Sequence, residues 1–200
     1  LAERYRQTQT PRDLTFYHST GLGDRGDKGM SPLAQKGLVK RDIGGHWGQS
    51  PRLCEMAERN EIEAYNFPMG AMAQLMRAAA AGAPGILTHV CLGTLLDPRQ
   101  QGGRLNDVTK EELIKLQVID GEEWLFYPCI YPDVAFIRGT SADTEGYITM
   151  EDEVLYTDSF ATAMATHNNG GIVIAQVERV VKAGTLPSKE VKIPGYLVDA

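Results

Sequence analysis

The chain has 200 residues, 42% of them hydrophobic and 23% charged, and a formal net charge of -6 at neutral pH. That length suits one ordinary domain with a filled core, since a domain commonly holds about 100 to 200 residues. The acidic balance, with no basic stripe, argues against a nucleic-acid partner, whose affinity comes from Lys and Arg displacing counterions.

Leu1 and Tyr5 stand one helical turn apart before the breaker Pro11, which reads as the end of a helix begun upstream. Arg4 and Arg6 have no apolar run behind them, so no secretory leader is expected here. Residues 14–19 read as a strand, 32–39 as a short helix with Pro32 in its first turn, and 43–47 as a second strand. Ser50 is placed to cap a helix that begins at Pro51 and runs to about Asn60; residues 62–67 then form a strand closed by Pro68. Met72, Leu75, Met76 and Ala79 make an apolar stripe at helical spacing, which predicts a helix over 70–81, stopped by Gly82 and Pro84. A strand over 86–90 follows.

This alternation of strand and helix with short connections predicts a parallel sheet covered by helices. Residues 113–137 change texture: they are rich in Val, Ile, Tyr, Trp and Phe, with turn pairs Asp120-Gly121 and Tyr131-Pro132, and predict strands with at least one hairpin. Asp143 to Gly146 reads as a turn, 160–167 as a helix ending at Asn168-Asn169-Gly170-Gly171, and 172–180 as a buried strand. One more strand begins within 191–198, so that Ala200 is expected inside a strand. The fold class is therefore α/β: an open, mainly parallel sheet flanked by helices, with an added antiparallel strand region.

Cys54, Cys91 and Cys129 are too widely spaced for a disulfide framework or a CxxC pair and fit a reducing, cytoplasmic setting. His18, His46, His89 and His167 show no metal-ligand spacing, so no metal site is expected. The apolar stretch over 71–96 is broken by Arg77, Gly82, Pro84, Gly85 and His89, and falls short of the ~20 residues a membrane span needs.

Gly21-Leu22-Gly23-Asp24-Arg25-Gly26 matches GxGxxG after a strand. Asp24 and Asp27 add negative charge there, however, and no helix opens directly behind it, so a turn is the better reading than a pyrophosphate cradle. No GxSxG elbow exists. Glu145 beside Gly146 has the form of an exposed nucleophilic carboxylate, but Asp143 and its turn-forming neighbours favour a polar β-turn. Gly21, Gly44-Gly45, Gly70 and Gly93 each fall within or just after a predicted strand. Two readings stand side by side: these loops share one ligand cleft at the carboxyl ends of the strands, or they are glycine-rich only because α/β loops turn tightly.

The wording of the loops goes further. Gly21-Leu22-Gly23-Asp24, Ile43-Gly44-Gly45-His46-Trp47-Gly48, Glu63-Ala64-Tyr65-Asn66-Phe67-Pro68, Gly93-Thr94-Leu95-Leu96-Asp97-Pro98-Arg99 and Gly102-Gly103 follow one another in the order of the single-chain acetate and propionate CoA-transferases. The chain resembles that family along essentially its whole length, through Asn168-Asn169-Gly170-Gly171 and Ile193-Pro194-Gly195-Tyr196.

The resemblance implies an incomplete first domain over 1–200, cut at both ends, and a second domain that carries the catalytic glutamate. No catalytic residue is expected in this chain. The reaction implied is ping-pong: the glutamate attacks an acyl-CoA thioester, passes through an acyl-glutamyl anhydride and a glutamyl-CoA thioester, and hands CoA to a second carboxylate. The substrates would be acyl-CoA and short-chain carboxylates, with coenzyme A thioester as substrate, no permanently bound cofactor, and a homo-oligomeric assembly. Gly44, Gly45, His46, Pro68, Met69, Gly70, Gly93 and Thr94 would form one wall of the acyl pocket.

Two positions depart from the family wording. Pro68-Met69-Gly70 stands where Pro-Gln-Gly is common, and Cys91-Leu92-Gly93 where Gly-Leu-Gly is common. The first removes a side-chain amide and the second adds a side chain. An acyl-CoA hydrolase on the same scaffold and a non-catalytic binding or assembly module are the alternative readings.

Overall fold

The computed structural model describes residues 1–200. Its backbone forms two compact units, one of Leu1–Met72 with Leu87–Pro128 and the other of Ala73–Ile86 with Cys129–Ala200.

In the first unit, helix α1 (Ala2–Thr8) precedes a parallel sheet of β1 (Leu14–His18), β2 (Val39–Gly44) and β3 (Glu63–Asn66), with α2 (Pro51–Glu58) between the last two strands. β2 lies in the middle, and its register pairs Gly44 with both His18 and Asn66, so the three strands end level. Leu38, Leu53, Met56, Ile62 and Ala64 form the core of this unit together with Tyr5, whose hydroxyl donates to the Lys36 carbonyl at 2.8 Å. The outer edge of β3 is occupied by an irregular segment: Asn66 donates its amide to the Gly103 carbonyl at 2.8 Å and Leu105 donates to Ala64 at 2.9 Å.

Helix α3 (Met69–Ala80) follows β3, with Met72, Leu75 and Met76 almost wholly buried, as the apolar stripe predicts. The next strand, β4 (Gly85–Thr88), belongs to a different sheet, of order β4-β6-β5, with β5 (Lys115–Ile119) and β6 (Glu122–Pro128). β5 and β6 are antiparallel and joined at Asp120-Gly121, both at positive φ, the geometry of a two-residue hairpin turn.

In the second unit, β7 (Val134–Arg138) pairs in parallel with β10 (Ile172–Gln176) and carries α4 (Ser159–Asn168) against it. A mixed sheet runs in the order β11 (Arg179–Val181), β8 (Ser141–Asp143), β9 (Ile148–Thr149), β12 (Val191–Ile193). Ala135, Ile137, Ile148, Val173 and Ile193 are its core. No helix of the protein is long and apolar enough to cross a membrane.

Several boundaries differ from the sequence reading for identifiable reasons. The helix expected over 32–39 is a single 3-10 turn, Ser31–Leu33. Gly37 at φ 86° ends any helical path, and a methyl there would meet the Tyr5 hydroxyl at 2.5 Å. β2 accordingly starts at Val39 and stops at Gly44, four residues earlier at its start and three at its end than residues 43–47 suggested. Ser50 is the N-cap residue of α2 as expected, but its side chain makes no capping bond; the hydroxyl donates to the Leu22 carbonyl at 2.9 Å and holds the preceding glycine loop instead. The strand expected over 172–180 is two strands, because Gly139 bonds back to Gln176 while Glu178 and Arg179 bond to Thr140, which moves the chain to the other sheet. β12 is only three residues long, ended by Pro194 and a 3-10 turn over Gly195–Leu197. Ala200 is not in a strand, although its carbonyl accepts the Ala175 amide at 2.7 Å.

A methyl group at Gly139 would lie 2.2 Å from Ile148 Cγ2. Gly139→Ala should therefore destabilise the second unit by about 1 to 3 kcal/mol, the range for overpacking a filled core, read from urea denaturation of the two proteins.

Candidate functional site

The level ends of β1, β2 and β3 bring three loops together, at the sheet edge where open α/β proteins take their ligands. Gly45 donates its amide to the His18 carbonyl at 2.9 Å, and Phe67 donates to Gly44 at 3.2 Å. The Asn66 side-chain amide donates to the carbonyls of Gly44 at 3.1 Å and Gly45 at 3.4 Å. These bonds press the loops so close that a methyl at Gly45 would sit 2.2 Å from the Ser19 carbonyl oxygen and 2.7 Å from Met69 Cγ. At Gly44 a methyl would come within 2.9 Å of the His18 ring and 2.8 Å of Trp47 Nε1. Glycine is required at both places by space.

Of the expected wall, Gly44, Gly45 and Met69 are in this cluster, and Pro68 leads into it by accepting the Met72 amide at 3.0 Å. Met69 is 45% exposed and its Cγ lies where a side chain at Gly45 would need room, whereas Met72 and Met76 are buried. Gly70 has nothing within 4 Å of where its side chain would start, in the first turn of α3, where amides have no partner within the helix. His46 is exposed and its Nδ1 accepts the Gly48 amide at 3.2 Å, within its own loop.

Gly93 and Thr94 are also exposed, and they connect to this cluster through backbone: Gly103 donates to Leu95 at 3.3 Å and accepts from Asn66. Their loop is held by a residue to which the sequence reading assigned no role. Asp97, fully buried, accepts the Gly93 amide at 2.9 Å and the Arg99 amide at 3.0 Å, and is gripped by the Arg99 guanidinium at 3.0 and 2.8 Å. Arg99 in turn reaches Glu123 at 2.8 Å. The Arg99 side chain, with the two amides, holds the Asp97 carboxyl far below the usual carboxylate range against its burial. Asn66 is a second such residue, tying Gly44, Gly45 and Gly103 together. The signal for Asp97 was its place four residues after a loop glycine and two before an arginine.

Cys91 opens this loop at φ 73°, a left-handed conformation that costs a residue with a Cβ. Its carbonyl accepts the Thr94 hydroxyl at 2.8 Å. Beside it the buried Tyr127 hydroxyl donates to Val90 at 3.2 Å, and burial pushes that phenol well above its ordinary value, with Cys91 adding to the shift.

The other motifs are structural. Asp24 Oδ1 accepts the amides of Gly26 and Lys28 at 2.9 and 3.1 Å, and no helix opens behind them. Glu145 is exposed in a turn organised by Asp143, which accepts the amides of Glu145, Tyr147 and Gly184. Two open hollows, of about 460 and 390 Å³, lie away from the strand ends, one along Gln100 to Lys110 and the other beside Asp13, Gly37 and Glu63, at the starts of the strands.

A sequence model of the coenzyme A transferase family matches residues 1–200. The chain belongs to that family. Acetate CoA-transferase YdiF of Escherichia coli (strain K12) is 60% identical over 199 residues, 100% of this chain and 38% of that protein. Caffeate CoA-transferase of Acetobacterium woodii is 41% identical over the same shares. The solved acyl-CoA transferase YdiF of E. coli O157:H7, as a thioester complex with CoA, superposes with a TM-score of 0.97 at 60% identity, covering 99% of this chain and 41% of that one. The chain thus spans about two fifths of the length of these family members.

Two outcomes test the loop geometry. Asp97→Ala orphans the Gly93 and Arg99 amides and should cost about 2 to 3 kcal/mol in urea denaturation. Because the folded carboxyl is held low, the stability it supplies is fully present above about pH 4 and is lost progressively as pH falls from there through the depressed folded value, so the difference between the two proteins should be constant above about pH 4 and shrink steadily below it. Cys91→Gly should have the opposite sign: relief of about 1 to 2 kcal/mol of left-handed strain, less the greater freedom of glycine in the unfolded chain, leaves a gain of about 0.5 to 1 kcal/mol in the same measurement.

Proposed function

We propose that the full-length protein moves CoA between an acyl-CoA thioester and a short-chain carboxylic acid such as acetate or propionate, and that this chain forms one wall of the acyl pocket. The observation that carries the reading is the convergence of Gly45 and Met69 at the level strand ends, in a chain 60% identical throughout to an acetate CoA-transferase. In this reading residues 1–200 are an incomplete first domain. The nucleophilic glutamate belongs to a second domain, and the assembly is a homo-oligomer working in the cytoplasm.

The glutamate carboxylate attacks the thioester carbonyl carbon and CoA leaves as thiolate. The thiolate then attacks the glutamyl carbonyl of the anhydride and releases the acyl group as a carboxylate. The acceptor carboxylate repeats these two steps in reverse order, which returns the glutamate and yields the new acyl-CoA. A carboxylate is a weak nucleophile, so donors aimed at the developing oxyanion and exclusion of water from the anhydride govern the rate. The wall contributes shape through Gly44, Gly45, Pro68 and Met69, and backbone through Gly70, Gly93 and Thr94, with His46 at its exposed rim. The Met69 side chain has no N–H to offer, which leaves the backbone amides of the first turn of α3, at Met69 and Gly70, as the donors on this side.

Acetyl-CoA and propionate incubated with the full-length protein should give propionyl-CoA in step with acetate. Release of free CoA without propionyl-CoA would identify a hydrolase, and neither product would leave a binding module. Met69→Gln in the full-length protein should raise kcat and kcat/KM together by about tenfold, part of the ~100-fold or more that one oxyanion donor supplies, since the gain arises only in the transition state. Unchanged or slower turnover with a lower melting temperature would reduce Met69 to packing.

A further inference from the structure

We propose that His18 is a positioning residue for this wall: a buried imidazolium, held between the Thr20 carbonyl and the Asp42 carboxylate, that fixes the Gly44–Gly45 backbone against Met69. The proposal rests on the pocket-wall reading above.

His18 is the last residue of β1 and Asp42 lies in β2; they are 7% and 0% exposed. The His18 Nδ1 is 2.7 Å from the Thr20 carbonyl oxygen. Its Nε2 faces the Asp42 carboxylate, 3.1 Å from Oδ1 and 3.4 Å from Oδ2, the longer contact having the better hydrogen-bond alignment. Oδ1 is left buried without an aligned donor of its own. Both ring nitrogens therefore meet acceptors. A carbonyl oxygen only accepts, so Nδ1 carries a hydrogen, and an ionised carboxylate likewise asks for one on Nε2. A neutral imidazole has one N–H and would set a lone pair against one of these oxygens.

The ring braces the cleft from below. Through Thr20 it holds the loop after β1, whose Ser19 carbonyl occupies the place a side chain at Gly45 would need. Through Asp42 it holds β2, and its own carbonyl accepts the Gly45 amide. It lies directly beneath Gly44 and edge-on to Trp47, with ring centroids 6.4 Å apart, and Trp47 Nε1 donates to the Tyr65 carbonyl in β3. One side chain thus touches or ties all three strand ends. Displacements of about 1 Å at a reacting centre can cost ~100-fold in rate, so loosening this brace should act on the chemical step more than on binding.

Asp42 is His18's partner, and Cys54 of α2 is close enough for the Asp42 charge to add to the rise in its own thiol value, which burial chiefly causes. Burial opposes the charge on His18 most strongly, but the hydrogen bond and charge of Asp42, with the Thr20 carbonyl, outweigh it and raise the imidazole above its ordinary value. The pair's contribution is therefore complete below about pH 6.5 and is lost as pH rises through the higher folded value.

The test is the pH dependence of kcat for acetyl transfer in the full-length protein, from about pH 6 to 10, with Asp42→Asn and His18→Gln beside the parent. The expected parent profile falls on an alkaline limb. Asp42→Asn should move that limb down by about one pH unit or more, and His18→Gln should abolish it and lower kcat about tenfold, with KM for acetyl-CoA within about twofold in both. A limb unmoved in Asp42→Asn, or an unchanged kcat in His18→Gln, overturns the proposal, because a purely structural histidine alters melting temperature without moving a pH profile. If the variants fail to fold, or the parent shows no transfer at all, the ¹⁵N spectrum of parent protein labelled at histidine decides the point without any activity. Both His18 nitrogens protonated at neutral pH supports it and a neutral tautomer overturns it, whereas absence of transfer counts against the function proposed above and not against the brace.

Discussion

The rest of the first unit depends on how closely the backbone of Gly44–Gly45 approaches its neighbours. The carbonyl of Ser19 occupies the place a side chain at Gly45 would need, and the ring of His18 occupies the place beside Gly44. Such contact is possible only because β1, β2 and β3 end in register, so that the chain leaves each strand at the same height and turns over the same edge. Parallel pairing spaces its hydrogen bonds evenly, and the segments that leave the three strands then have little freedom in where they place their first residues. Asn66 completes the arrangement by donating to both glycine carbonyls.

The Gly93 loop solves a different problem. It is exposed, lacks helical or strand bonding, and would be mobile without an internal anchor. Asp97 supplies that anchor because one carboxylate can accept several donors at once, and here it takes two backbone amides and both prongs of a guanidinium. Burial of the carboxylate is tolerable because each oxygen is satisfied. Cys91 at the start of the same loop is the converse case, a side chain carried in a conformation that suits glycine. The loop therefore combines one strongly fixed residue with one strained one, within seven positions of each other.

In the function proposed above, the close backbone approach of these loops has a use. A thioester and the anhydride proposed to follow it are flat, reactive groups that need donors near the carbonyl oxygen and little room for water. In that proposal the glycines let backbone serve as the wall at short range, and the Met69 side chain adds apolar cover without a donor. Of the two departures read from the sequence, Met69 opens α3 beside the strand ends and Cys91 opens the loop tied to them.

Features caused locally were legible from the sequence. The stripe of Met72, Leu75 and Met76, the hairpin at Asp120-Gly121, the turn at Asp143 and the breaks at Pro68 and Gly82 all depend on neighbours within a few positions, and the structure has each of them. The order of the loop motifs was enough to place the chain in its family. What the tertiary structure alone decided are relations between residues far apart in the chain: that Gly103 rather than β4 flanks β3, that residues 172–180 divide between two sheets, that the Ser50 hydroxyl goes to Leu22 rather than to the amides of α2, and that His18 pairs with Asp42. Composition and periodicity record how a segment meets solvent and core, which is a property of the segment. The partner of a buried carboxylate or the neighbour of a strand edge is set by competition among all segments for the same space and the same hydrogen bonds, and that competition is resolved only when the chain is folded.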